Sequence, residues 1–271
     1  MTDLTPFERA TALTQVPAER QGDLHFLGDI PGDWAQGRTA FGGLSAALLI
    51  DAVRRLPETS GLSVRSLDVA FIGPVPPGTV SVVARALRRG KYLTHASAEL
   101  LGTDGVPLTS IHAVFAELRE STVQVRPEPP VMTPVDQCLE MPHLEGITPD
   151  FARNFAISFA LGIPFTGSDE ARINGWCRHR TPATGPAAVA ALVDAWPGSV
   201  LPVLTAPAPA STVRWSLQFP GSCDIIGDDW FWYESDTVIA AGGYSTMTAR
   251  LWQGDRLVSW SEQLLAVFER R

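Results

Sequence analysis

Lysine is almost missing from this 271-residue chain: Lys91 stands alone among arginines as the other basic residues. That bias fits a GC-rich coding sequence and carries no functional information. Cysteine is also scarce. Cys138, Cys177 and Cys223 are far apart and form no CxxC pair, which argues against a zinc site or a disulfide framework. No apolar run approaches the roughly 20 residues of a membrane span. The opening "MTDLTPFERA" lacks a basic segment followed by an apolar core, so no signal peptide is expected and a cytoplasmic location is. Positive charge is in deficit, with a net −8. A broad nucleic-acid surface is therefore excluded, whereas a small anionic ligand held by local arginines is not.

What the chain has is apolar content of 45% with only 18% charged residues, a globular balance with a sizeable core. Its 23 glycines and 22 prolines punctuate short alternating runs. "DLHFLGDI" (23–30) reads as a strand. "PGDWAQGRTAFGG" follows as a turn-rich loop with Trp34. A helix is predicted from about Gly43 to Arg55, stopped by Pro57. Strands are then predicted at 63–73, 80–90, 93–102 and 106–120, in the manner of an antiparallel meander. Residues 121–149 are proline-dense and without period, and read as a linker.

After the linker the order repeats. A strand is predicted at 151–163, a helix at 184–196, and strands at 211–221, 229–243, 244–255 and 256–270. The halves also align in sequence. "GGLSAALLIDAV" lies over "GPAAVAALVDAW", Asp51 over Asp194. "SLDVAFIGP" lies over "TVRWSLQFP", Ser66 over Thr212. With a small gap, His112 falls over Gln263. The chain thus reads as a duplicated unit: an N-terminal unit at 1–120, a linker at 121–149 and a C-terminal unit at 150–271. The expected fold class is α+β, each unit a long helix wrapped by a curved antiparallel sheet.

Several residues stand out chemically. Asp194 lies near the end of its helix, where the dipole disfavours an anion, and burial adds to that effect; both make a carboxylate a better base. Thr212 sits on a strand with Val213, Trp215, Leu217 and Phe219 on the opposite face. Gln263, among Leu257, Leu265 and Val267, needs polar partners. Gly42 and Gly43 let backbone approach a ligand closely and open a helix with free N–H groups. Each also has a bland reading: structural carboxylate, strand former, buried amide, tight turn. "GLSAA" around Ser45 falls one residue short of a serine-nucleophile elbow, and no strand precedes it.

The order and spacing of "GRTAFGGLSAALLIDA", "VRSLDVAFIGPVPPG", "RRGKYLTHASAEL" and "DDWFWYES…GGYSTMTARLWQGDRLVSWSEQ" resemble the acyl-CoA thioesterase II (TesB-like) family. The likeness runs over about 20–120 and 185–271. It implies a double hotdog fold and hydrolysis of an acyl-CoA thioester. It also implies a catalytic trio at Asp194, Thr212 and Gln263, and no cofactor beyond the coenzyme A of the substrate. The sequence departs from the family after Gln263, where Leu264 and Leu265 follow, and at Arg65, Asp68 and Arg89. Substrate-binding candidates are Gly42 and Gly43 for the thioester carbonyl and Trp34 for the acyl pocket. Arg88, Arg89 and Lys91, with Arg85 and the Arg178–His179–Arg180 run, are candidates for the CoA phosphates. No metal site and no nucleic-acid partner are expected, and the exposed sheet faces allow a homo-oligomer. The rival readings are a degenerate acyl-CoA-binding module and a hotdog enoyl-CoA hydratase or dehydratase.

Overall fold

A computed structural model describes residues 4–146, 148–221 and 229–268. Fifteen strands and three α-helices follow one another along them. The N-terminal part holds α1 (Pro6–Ala10), β1 (Leu13–Val16), β2 (Asp23–Ile30), a two-residue hairpin of β3 (Ala35–Gln36) and β4 (Thr39–Ala40), then α2 (Gly42–Arg54). β5 (Ser63–Phe71), β6 (Gly78–Arg89), β7 (Leu93–Leu101) and β8 (Pro107–Ala116) complete it. The C-terminal part holds β9 (Leu139–Glu140), β10 (Phe155–Leu161), β11 (Arg172–His179), α3 (Gly185–Asp194) and β12 (Ala210–Gln218). β13 (Phe231–Ala241), β14 (Tyr244–Gln253) and β15 (Arg256–Val267) close the chain.

Thirteen strands form one antiparallel sheet in the order β1-β2-β6-β7-β8-β5-β12-β15-β14-β13-β11-β10-β9. The order is nearly a mirror about the β5–β12 pair. β5 and β12 are the first strands of their meanders in chain order and lie at the meander edges, so the two halves join edge to edge and neither edge is left open there. The register at the joint pairs Ala70 with Arg214 and Ser66 with Gln218.

The two central helices lie under this sheet and against each other. α2 is buried almost all round, from Gly43 to Ile50 and at Ala52 and Val53. α3 is buried from Pro186 to Val193. A helix apolar on every face belongs inside a core. Alanines on both helices, together with Gly43, allow a close crossing: a Cβ built on Gly43 would lie 3.0 Å from the Ala191 Cα. The helices run 13 and 10 residues. No helix among the described residues is long and apolar enough to cross a membrane.

The region expected to be a linker is partly structured. β9 pairs with β10, Met141 packs on the core, and the Thr133 carbonyl accepts from the Trp176 indole at 2.6 Å. Its first part, residues 121–129, is exposed, so the contacts to the sheet begin near Thr133. Trp34 is core rather than pocket wall. It is 1% exposed, packed between Phe7 and Phe155, because a ring of that size gains most from full burial. Its carbonyl accepts from the Phe41 N–H at 2.9 Å, so it fixes where α2 begins. Cys223 lies outside the described residues.

Candidate functional site

Asp194 is the last residue of α3. There α3 ends against the start of α2, because the two buried helices cross antiparallel. Gly42 and Gly43 open α2 behind Phe41, which offers no side-chain cap. The first intrahelical bonds run from the Leu44 and Ser45 amides to the Phe41 carbonyl. The Gly42 and Gly43 amides thus have no partner within the helix at this uncapped N-terminus, and the Gly43 amide faces the Asp194 carboxylate. A Cβ on Gly42 would stand 2.9 Å from Asp194 Oδ2 and 3.1 Å from the Phe71 ring. Only glycine lets that helix start meet the carboxylate so closely.

From β15, Gln263 donates its amide to Asp194 Oδ1 at 2.9 Å. Gln263 is 4% exposed, so its partner is an internal group. Asp194 keeps a partly exposed edge yet sits deep in protein mass. Burial pushes its carboxyl up to about 7, against smaller opposing effects of the Gln263 amide and the Gly43 backbone N–H. The rise reflects desolvation of a charge with only neutral donors around it. Such a carboxylate changes protonation near neutral pH, where a general base works best.

Thr212 is brought to the same face by a bulge. On β12, Thr212 opposes Leu265 while Arg214 opposes Leu264 and Trp215 opposes Gln263. The extra residue, Val213, turns Thr212 to the helix-facing side together with Trp215. Plain alternation had placed Thr212 opposite Trp215, and the bulge overturns that. Thr212 stands one inward position beyond Gln263 and makes no hydrogen bond with Asp194 or Gln263.

The first unit has the same bulge. Val64 opposes Phe115, Ser66 opposes Val114, and Leu67 opposes Ala113. By register, Val64 occupies the place of Thr212, and Ala113 that of Gln263. Ser66 and His112 lie on the outer face, His112 against His95 at 3.1 Å. The expected overlay is therefore off by two residues for Ser66, which falls on Arg214, and by one for His112, which falls on Glu262, and both positions face outward. Asp51 keeps no polar sheet partner of the Gln263 kind. It pairs with Arg54 at 3.4 Å, and burial outweighs Arg54 and Arg55 to raise its pKa.

Arg88, Arg89 and Lys91 are separated from Asp194. Their hairpin extends past Val64, and the Thr94 hydroxyl ties it to the Glu58 carbonyl, beyond the C-terminal end of α2. Across the β5–β12 joint, Val64 falls some eight strand residues from Thr212, roughly 26 Å at ~3.3 Å per residue. A cavity of about 260 Å³ lined by Arg88, Gly90, Lys91, Tyr92, Leu93 and His95 lies there, at the Asp51 end. The equivalent hairpin at the Asp194 end carries Val238, Ile239 and Tyr244, all exposed. Of the other candidates, Arg85 pairs with Asp23, Arg178 lies over the Trp230 ring, and Arg180 pairs with Glu140. His179 is buried, its ring nitrogen on the Ala188 carbonyl, and burial lowers its pKa to about 4. Among the described residues no three His, Cys, Asp or Glu side chains gather as a metal site.

Sequence alternation missed further polar groups near the carboxylate. The Tyr233 hydroxyl lies close enough to Asp194 for the carboxylate charge to raise its pKa, a smaller effect than burial. Its β-strand reads as aromatic and β-branched, with no motif to mark that hydroxyl as polar lining.

An antiparallel sheet backed by buried helices is the architecture of the hotdog class of folds, which a similar solved structure shares. The chain is similar to a hot dog fold protein of unknown function from Alicyclobacillus acidocaldarius, 23% identical, with TM-score 0.88, covering 99% of this chain and 100% of that one. It is also similar to acyl-CoA thioesterase II TesB2 from Mycobacterium marinum (16%, 0.74, 97% and 98%). A tesB protein from Mycobacterium avium subs paratuberculosis gives the same values. At such identities the likeness is one of fold. A search of curated proteins finds no significant match. The acyl-CoA thioesterase N-terminal domain matches residues 30–116, and the acyl-CoA thioesterase C-terminal domain matches 135–267. The chain belongs to the acyl-CoA thioesterase family.

Proposed function

We propose that the protein hydrolyses acyl-CoA thioesters to free acid and CoA with water positioned at Asp194, on a double hotdog of two units, 1–120 and 150–271. The observation that carries this reading is the Gln263–Asp194 hydrogen bond set against the glycine-opened start of α2, where the Gly43 amide faces the carboxylate. A thioester needs an oriented water, a proton acceptor and a stabilised carbonyl oxygen. Asp194 takes the proton. Gln263 holds the carboxylate in one orientation. The carbonyl oxygen, set beside the carboxylate, meets the Gly42 amide at the start of α2, which stabilises the charge developing on it, while the Gly43 amide faces Asp194. Thr212 lines the approach and binds the water once substrate fills the site. The thiolate of CoA leaves as the tetrahedral intermediate collapses, and the proton held by Asp194 passes to it through solvent, which restores the carboxylate. Nothing in this sequence draws on a group beyond the chain, water and substrate.

The test is thiol release from a panel of straight, branched and aromatic acyl-CoAs of graded length. Turnover of at least one is expected, and Asp51→Asn is expected to stay within about twofold of wild type, because Asp51 lacks a counterpart of Gln263. Binding without turnover across the panel selects the degenerate binding module.

A further inference from the structure

The hairpin between β6 and β7, at the Asp51 end of the sheet, carries features that the reaction does not use. It closes tightly: the Gly90 N–H donates to the Leu93 carbonyl at 2.7 Å, which puts Lys91 and Tyr92 at the tip. Arg88, Arg89, Lys91 and Tyr92 are all exposed. Arg88 and Arg89 make no hydrogen bond or ion pair among the described residues. Lys91 Nζ and Arg119 Cζ each lie 5.0 Å from the centroid of the Tyr92 ring. The carboxylates of the adjoining segments, Glu58, Glu117 and Glu120, form no ion pair with any of these cations.

The duplication provides a comparison within the chain. By register, Arg88, Arg89 and Leu93 correspond to Ile239, Ala240 and Tyr244 of the β13–β14 hairpin, both hairpins carrying a bulge at the same place. Lys91 and Tyr92 then correspond to Gly242 and Gly243. The second hairpin makes the same turn with no charged residue, so the fold does not demand cations there.

Apolar side chains are interleaved with the cations. Leu87, Tyr92, Leu93 and Leu118 are 53%, 45%, 46% and 54% exposed. Leu87 is the extra residue of the β6 bulge. Leu118 lies two residues beyond Ala116, the β8 partner of Leu93. The hollow of about 260 Å³ lined by Arg88, Lys91, Tyr92, Leu93 and His95 sits among them, and its cationic rim suits a phosphate group.

We infer that this hairpin is a docking surface for an anionic phospholipid bilayer. The arginines and Lys91 take headgroup phosphates, Tyr92 sits at headgroup level, and Leu87, Leu93 and Leu118 enter the apolar layer beneath. Such binding combines buried apolar area with attraction to anionic lipid. The net charge of −8 does not oppose it, because exposed charges more than about 8 Å away are largely screened at physiological salt. An acidic protein would also pair with the cations. The interleaved leucines on a two-residue turn favour a bilayer, which a projecting tip enters without a matching groove. The docked end is the one remote from Asp194, so the catalytic end stays open to water. The inference goes beyond the thioesterase reading and does not depend on it.

Flotation of the full chain with phosphatidylcholine vesicles, with and without phosphatidylglycerol, tests this. Binding to the phosphatidylglycerol vesicles is expected at about 0.15 M salt and is expected to weaken at about 1 M. Vesicles of phosphatidylcholine alone are expected to bind far less. Replacing three cations together, Arg88→Gln, Arg89→Gln and Lys91→Gln, is expected to lower partitioning at least about tenfold, since each cation near the surface is worth roughly fivefold. Tyr92→Ser with Leu93→Ser is expected to lower it several-fold while the salt dependence remains. These variants are expected to fold, because the equivalent hairpin carries uncharged residues and glycines at these places; thermal melting checks this. No binding to phosphatidylglycerol vesicles, equal binding to both kinds of vesicle, or unchanged partitioning in the folded triple variant overturns the inference. The assay needs no turnover, so its result and that of thiol release are read separately.

Discussion

Asp194→Asn is expected to lower kcat by at least about 10²-fold, the lower range of a lost general base, while the protein stays folded. Asparagine has the same shape and still accepts from the Gln263 amide, so packing at the α3 terminus is retained. It cannot take a proton from water. The same substitution is expected to stabilise the protein above neutral pH. The folded-state pKa is raised to about 7 from an ordinary value near 3.8. Between those values the folded state binds more protons than the unfolded state, so stability falls as pH rises through the interval. The penalty is complete above about pH 7 and absent below about pH 4. At ~1.36 kcal/mol per pKa unit its upper bound is on the order of 4 kcal/mol. Melting temperatures of both proteins at pH 5 and pH 8 check this. The gap in favour of Asp194→Asn widens at the higher pH. Rate and stability thus move in opposite directions, which a generally damaged fold does not produce.

Alanine at Gly42 and at Gly43 is expected to separate chemistry from packing. A Cβ on Gly43 meets the Phe41 ring at 2.5 Å and the Ala191 Cα at 3.0 Å. Phe41 cannot easily withdraw, because it is stacked on Phe151 with ring centroids 4.0 Å apart. Overpacking of this kind costs about 1–3 kcal/mol, so the melting temperature should drop by several degrees. Gly42 is partly exposed, and its Cβ meets Asp194 Oδ2 and Phe71 instead. Gly42→Ala should melt close to wild type yet lose about tenfold or more in kcat, as the α2 start is pushed off the carboxylate. Comparable melting losses in both variants, with kcat intact, would place these glycines in packing alone.

The strand and helix order was legible because glycine and proline punctuate it and the alternation is strong. β2, α2 and the eight long meander strands fall within a few residues of their expected ends. β11 was not legible. Gly175 interrupts its alternation, and Arg178 and His179 read as a charged tag, although His179 is buried against Ala188. The carboxylate and amide of the site were visible as polar residues in apolar runs. Their contact was not, since it depends on α3 ending over β15. Bulges at Arg65 and Val213 carry no sequence mark, so the face assigned to Thr212 by simple alternation failed, and the overlay of Ser66 on Thr212 and His112 on Gln263 fell out of register. Arg88, Arg89 and Lys91 show the limit of composition. A cationic hairpin advertises an anion, but only the strand register tells which end of the sheet it occupies. Trp34, singled out as a lone aromatic in a loop, proved to be the residue that the start of α2 leans on.

The pH dependence of kcat/KM, followed by loss of thioester absorbance on a turned-over acyl-CoA, tests the role of Asp194 most directly. With Asp194 as the base, kcat/KM rises about tenfold per pH unit below the carboxyl pKa and levels off above about pH 7. The residual rate of Asp194→Asn lacks that inflection. A wild-type profile flat across pH 5 to 8, or an inflection that survives in Asp194→Asn, would contradict Asp194 as the group that takes the proton from water.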